Sequence, residues 1–255
     1  MRDLLRVPTV LTPLLATWLV LFVHAVEARQ APTEPPGDAS ALAEYIRAFE
    51  SVGFSGAVLA ARDGEIVAAV GVGSPDPAGP RAITPDTLFE IASVTKAFTA
   101  VAVMRLVEQG RLALDDPIAM HLPDVPANCS AITVRHLLQH TSGIPGTNSR
   151  GGGDDLSVVL PMFLNGGPRH EPGTHWEYWN QGYALLSAII ESAAGEPYTD
   201  FVRRAVFDPA GMAQSCFTGD APPTNAVVST GVSGRGAARS ALEPPYGSYG
   251  YQYRG

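Results

Sequence analysis

The stretch FSGAVLAARDGEIVAAVGVG, residues 54–73, constrains the fold of this chain more than any other. Two runs rich in Val, Ile and Ala flank Asp63-Gly64, a dipeptide that tolerates the two left-handed conformations of a type I′ turn. The pattern predicts an antiparallel hairpin with strands near 54–62 and 65–72. Two strands alone bury too little apolar surface to offset the entropy of ordering them, so another element must cover one face. The segment Asp38–Ser51 suits that task, because Leu42, Tyr45, Ile46 and Phe49 recur at helical spacing and form one apolar stripe.

Beyond the Pro- and Gly-rich loop SPDPAGPRAITPD the pattern turns helical. A helix is expected from Ser93 to Gln109, closed by Gly110, and a second from Thr133 to His140, stopped by TSGIPG. Further helices are expected near 155–164, from Gln181 to Ala194 and over 197–207. The tail from Gly219 to Gly255, rich in Gly, Pro, Ser and Ala, reads as loop. The expected organisation is an N-terminal α/β part over 38–90, a helical region over 91–218 and a loop-rich tail over 219–255.

The first residues read as an export signal. MRDLLR is a basic start, VLTPLLATWLVLFV an apolar run, and VHAVEA a stretch of small residues suited to cleavage near Ala25 or Ala28. The alternative is a retained membrane anchor, for which Val10–Val26 is at the short limit of a bilayer span. The expectation is a signal peptide over 1–28, a linker over 29–37, and a secreted or periplasmic protein. The chain of 255 residues has a formal charge of −8 and no basic run, which argues against nucleic acid as a partner. A hydrophobic content of 45% suffices for a substantial core.

Lys96 is the only lysine among seventeen Lys and Arg residues. Arginine serves wherever positive charge alone is needed, whereas lysine can give up its proton. Ser93 stands three residues upstream, and on a helix positions i and i+3 are neighbours about 5–6 Å apart at Cβ. A serine hydroxyl becomes a nucleophile when a neighbouring base takes its proton, and a desolvated lysine is one of the few side chains able to do so. A surface lysine near a serine is also common without meaning, so the pair by itself leaves both readings open.

HEPGTHWEYWNQGYALLSAIIE places Tyr178 and Asn180 just ahead of a strong helix. Tyrosine can relay protons when nearby cations lower its pKa from about 10, and asparagine offers both a donor and an acceptor. Structural roles compete: Asn180 is well placed as a helix N-cap, and Tyr178 could join Trp176, Trp179 and Tyr183 in an aromatic cluster. His136 and His140 in HLLQH have zinc-ligand spacing but lack the glutamate of HExxH, so no metal or cofactor is expected. There is no GxSxG elbow, and GVGSPD lacks the third glycine of a dinucleotide fingerprint. Cys129 and Cys216 could pair in an oxidising compartment, but nothing in the sequence brings them together.

Taken together, TLFEIASVTKAFTAVAVMRLVEQGRLALDDPI, ITVRHLLQHTSGIP and EPGTHWEYWNQGYALLSAIIE resemble the serine β-lactamase and D-alanyl-D-alanine carboxypeptidase superfamily, in its class C β-lactamase and esterase branch. The resemblance spans roughly residues 50–215. Ser93 and Lys96 match the SxxK motif, and Tyr178 and Asn180 match YxN. It implies an α/β plus all-α fold, an antiparallel sheet flanked by helices beside a helical region. It also implies acyl transfer through Ser93, with Lys96 and Tyr178 moving the proton, Asn180 binding the substrate amide, and His140 in HTSG playing a structural part. The implied partner is a small-molecule or peptidoglycan-peptide substrate: an ester, a D-alanyl peptide or a β-lactam. Relatives continue to a strand carrying KTG or HxG, which also holds the second oxyanion donor. That strand is not found here, and a C-terminally truncated member with an incomplete sheet is the expectation.

Overall fold

In a computed structural model of the chain, the described residues are 39–76, 79, 81–146, 155–217, 220–229, 232–233 and 240–241. The signal peptide and linker expected over 1–37 lie outside them, as do most of the glycine-rich 146–154 loop and most of the tail. The chain divides into two compact units, one comprising residues up to Phe89 together with Asn225–Glu243, the other built from Glu90–Thr224.

The first unit is the hairpin and its cover. Helix α1 (Ala39–Ala48) runs into a 3-10 turn over Phe49–Val52 and ends at Gly53 in the left-handed conformation. Strands β1 (Gly56–Arg62) and β2 (Glu65–Val72) pair antiparallel, with Val58 opposite Val70 and Ala60 opposite Ala68. Asp63 and Gly64 have φ of 52° and 85°, the two left-handed residues that the Asp-Gly pair predicts. A bulge between Ala60 and Ala61 brings Arg62 opposite Glu65 and closes the two-residue loop. Ala68, Val70 and Val72 point to one face and are buried with Ile46 under α1, while Leu59 and Ile66 are exposed on the other. At Gly71 a Cβ would lie 1.9 Å from the carbonyl oxygen of Ile83, because the loop returns directly across the strand.

The loop reading of the tail is corrected in two places. Leu88 bridges Val228 in parallel, donating to Val227 O at 2.8 Å, and β3 (Val232–Ser233) pairs antiparallel with β4 (Ser240–Ala241). Two-residue strands are too short to carry a periodicity, so sequence pattern could not reveal them.

The second unit is helical: α2 (Thr95–Glu108), α3 (Val134–Leu138), α4 (Leu156–Phe163), α5 (Asn180–Ala194) and α6 (Tyr198–Val202), which continues through one π-helical turn over Arg203–Phe207. Helix α5 is its centre, since every residue from Gln181 to Ile190 is buried. A helix apolar on all sides must be enclosed on all sides. The others turn one face to it: Thr99, Ala102, Val103 and Leu106 from α2, Val134 and Leu137 from α3, Val159, Leu160 and Phe163 from α4. The opposite face of α2 leaves Val94, Val101 and Met104 exposed. Polar bonds set the registers. The hydroxyls of Thr99 and Tyr198 meet at 2.8 Å in the core, Tyr183 donates to Leu138 O at 2.9 Å, and Arg111 donates to Ala194 O at 2.7 Å. Cys129 is buried and Cys216 exposed, both as free thiols. No helix among the described residues is long and apolar enough to cross a membrane.

Because Leu186 is completely buried in this central helix, Leu186→Ala should lower unfolding free energy by about 2–5 kcal/mol. Val101→Ala, on the exposed face, should change it by no more than about 0.5 kcal/mol. Urea unfolding followed by circular dichroism checks both.

Candidate active site

Ser93 lies in a 3-10 turn over Ala92–Val94 that leads without a break into α2, and Lys96 is the second residue of that helix. The sequence reading placed both on one helix; the structure puts the serine one turn earlier, in the tighter winding. Ala92, immediately before it, has φ of 45°. Holding a non-glycine residue there costs about 1–3 kcal/mol, strain that collects at functional positions.

Tyr178 comes from a strap, residues 169–179, laid against the loop His140–Gly146. Arg169 N–H donates to Gly143 O at 2.8 Å, Gly173 N–H to Thr141 O at 2.8 Å and Glu177 N–H to His140 O at 2.9 Å. Gly146 N–H donates to Glu177 Oε1 at 2.7 Å, and Trp179 N–H to His140 Nδ1 at 3.1 Å. The approach is close enough to require glycine: Gly143 has φ of 76°, and a Cβ on it would lie 2.0 Å from His170 O. His140 itself takes φ of 57°. The HTSG loop is thus a template for the strap, consistent with the structural part expected of His140.

The result is a short chain of polar groups. The Tyr178 hydroxyl donates to Ser93 Oγ at 2.9 Å and also hydrogen-bonds Lys96. Lys96 Nζ stands 5.4 Å from the centre of the Tyr178 ring and 5.3 Å from that of Tyr183, within cation–π range of both. The imidazole of His140 packs on Tyr178 with centroids 4.5 Å apart, on Tyr183 at 5.1 Å, and edge-on to Trp176 at 6.2 Å. The aromatic cluster and the polar constellation, alternatives in the sequence, are therefore one assembly. Trp179 is buried apart from it, against Gly182.

Electrostatics follow from these contacts. Burial pushes the Tyr178 hydroxyl up, but the Ser93 hydrogen bond and the Lys96 hydrogen bond and charge together outweigh it, leaving the phenol below its ordinary value. Burial, then the Lys96 charge, hold His140 below the usual imidazole range, against a smaller opposing effect of the Trp179 backbone. His140 is consequently neutral at pH 7, an acceptor at Nδ1.

Asn180 is the first residue of α5 rather than its cap; Trp179 occupies the cap position with extended backbone and no side-chain capping bond. The N-cap role is corrected for this reason: the backbone N–H of Trp179 is already committed to His140, which holds the chain extended up to residue 179. His136, the other histidine of HLLQH, completes a reciprocal capping box with Thr133. Tyr183, named from the sequence only as a member of an aromatic cluster, also faces Lys96. No group of three or more His, Cys, Asp or Glu side chains suited to a metal occurs among the described residues.

A serine held against a tyrosine and a lysine at the head of a helix is the arrangement of the β-lactamase and penicillin-binding-protein type of fold, and the comparisons agree. Residues 42–252 match the family described as Beta-lactamase, and the chain belongs to that family. It is 37% identical to penicillin-binding protein 4* of Bacillus subtilis (strain 168) over 177 residues, 64% of this chain and 39% of that protein. The structure of an octameric penicillin-binding protein homologue from Pyrococcus abyssi superposes with a TM-score of 0.59 at 30% identity, covering 69% of this chain and 43% of that one. A D-amino acid amidase from Ochrobactrum anthropi SV3 gives 0.60 at 29% identity, covering 78% and 56%. The chain spans about two fifths of the length of the curated relatives it resembles, 39% and 43% for two from Bacillus subtilis.

Two outcomes are expected. Gly143→Ala should unseat the strap and destabilise the protein by about 2–5 kcal/mol, from strain at positive φ and the clash with His170 O; urea unfolding reads the cost. His140 binds its proton less readily folded than unfolded, so stability is full above about pH 6.5 and falls as pH drops toward its lowered folded value. His136 shifts in the same direction. His140→Asn, which tolerates left-handed backbone, should therefore flatten but not remove the loss of stability between pH 7.5 and 5.5.

Proposed function

We propose that this chain carries the acylating half of an exported serine hydrolase that forms an acyl-enzyme on an ester, a D-alanyl peptide or a β-lactam. The observation that carries this reading is the 2.9 Å hydrogen bond between Tyr178 and Ser93, with Lys96 bonded to the same phenol. Lysine charge beside the ring draws the hydroxyl toward phenolate. The phenolate takes the Ser93 proton as Oγ attacks the carbonyl carbon, and the proton then passes to the leaving group, Lys96 and Tyr178 sharing the transfer. Asn180, two residues on, is positioned at the head of α5 to hydrogen-bond the substrate amide. Water, activated by the same pair, completes the cycle by releasing the acyl group.

The Ser93 N–H would serve as one of the two oxyanion donors such a site needs. Amide hydrolysis and acyl transfer are both represented among the neighbours, one named a D-amino acid amidase and another a hydrolase with promiscuous acyltransferase activity. A second reading, a protein that is acylated but turns over poorly, is favoured by the relatives named penicillin-binding proteins.

Labelling with a fluorescent penicillin and a fluorescent phosphonate tests the site. Ser93→Ala should abolish labelling by both probes, and Lys96→Arg should keep the charge yet lose acylation. Tyr178→Phe should slow labelling by about 10²–10⁴-fold, the contribution of a positioned proton carrier. Undiminished labelling of Ser93→Ala would remove the serine from the role. A stoichiometric burst with no steady release would select the second reading.

A further inference from the structure

Between two of its anchors on the HTSG loop, the strap makes a tight turn. Thr174 N–H donates to Glu171 O at 3.1 Å, closing a four-residue turn with Pro172 and Gly173 at its centre. Gly173 has φ of 90°, the left-handed residue a type II turn needs after proline. His170 and His175 flank this turn and face each other across it, ring centroids 4.2 Å apart and planes tilted by 31°. Both are exposed. Backbone bonds on either side, from His170 to Gly143 and from Gly173 to Thr141, hold the turn in place, so the two rings are brought together by the chain rather than by each other.

The remaining described histidines are committed elsewhere. His121 Nε2 pairs with Asp116 Oδ2 at 3.0 Å, His136 Nδ1 accepts from Thr133 N–H at 3.2 Å, and His140 Nδ1 accepts from Trp179 N–H at 3.1 Å. The ring nitrogens of His170 and His175 have no hydrogen-bond partner among the described residues. Imidazole is the commonest protein donor for late first-row divalent ions, and here two stand on one pre-set turn. Nitrogens of two imidazoles on one such ion lie roughly 3 Å apart, given metal–nitrogen distances near 2.0–2.1 Å. The ring centroids, 4.2 Å apart, are separated by a distance of the same order.

We propose that His170 and His175 form a two-histidine site for a late first-row divalent cation, Zn²⁺, Ni²⁺ or Cu²⁺. No third protein ligand gathers there among the described residues, so water completes the coordination. The site lies three residues before Tyr178, on the same strap. A bound ion ties the two ends of the turn together and stiffens the segment that presents Tyr178 to Ser93, without touching either residue.

The test is calorimetric titration of the full chain with Ni²⁺ at pH 7.5, in parallel with His170→Ala, His175→Ala, the double variant and Cys216→Ser. Both histidines are exposed, so their removal leaves the fold intact. Expected is one equivalent bound by the parent chain and by Cys216→Ser, with either single histidine variant as weak as the double. Ni²⁺ should also broaden the His170 and His175 ring resonances ahead of those of the other histidines. Binding that survives in the double variant, binding lost only in Cys216→Ser, or no binding by the parent chain would each overturn the proposal.

Discussion

Enclosure of α5 is the constraint on which the rest of the helical unit depends. Ten consecutive residues, Gln181–Ile190, are buried, so α5 has no solvent face and α2, α3, α4 and α6 are arranged by the need to cover it. Each apolar side chain removed from water contributes about 1.5–3 kcal/mol, but it is the polar bonds between elements that fix the registers. Thr99 meets Tyr198 in the core and ties α2 to α6, while Tyr183 ties α5 to the end of α3. With α2 and α5 both held, Ser93 at the head of one and Tyr178 just before the other meet at hydrogen-bond distance.

A rigid core alone would not deliver Tyr178, which sits on irregular chain. That task falls to the HTSG loop, whose backbone pairs with the strap much as a strand would, at the cost of positive φ at His140 and Gly143. The same histidine closes the electrostatic circuit. Kept neutral by burial and by Lys96, its ring packs against Tyr178 at a tilt of 36° without adding a second positive charge, and Lys96 supplies the charge that lowers the phenol.

Much of this was legible beforehand because it is local. Asp63-Gly64 predicts its own turn, the stripe Leu42, Tyr45, Ile46 and Phe49 predicts a covering helix, and SxxK and YxN stand out as motifs of particular residue types at particular spacings. What escaped is non-local or too short. The β3–β4 pair has two residues a side, and Trp179 rather than Asn180 is the cap because a histidine 39 positions away claims its N–H. His170 and His175, five apart, carry no sequence spacing known for metals; only the turn at Pro172-Gly173 folds them face to face.

The sequence by itself determined the hairpin and the helical spans, since each follows from side chains within a few residues of one another, and it singled out Ser93, Lys96, Tyr178 and Asn180 as candidates through the motifs they match. Tertiary structure alone decided that Tyr178, 85 residues from Ser93 along the chain, donates to it. It decided too that His140 and Tyr183 would flank the same ring. Contacts between distant segments depend on how helices cover a common core, and no local pattern encodes that geometry.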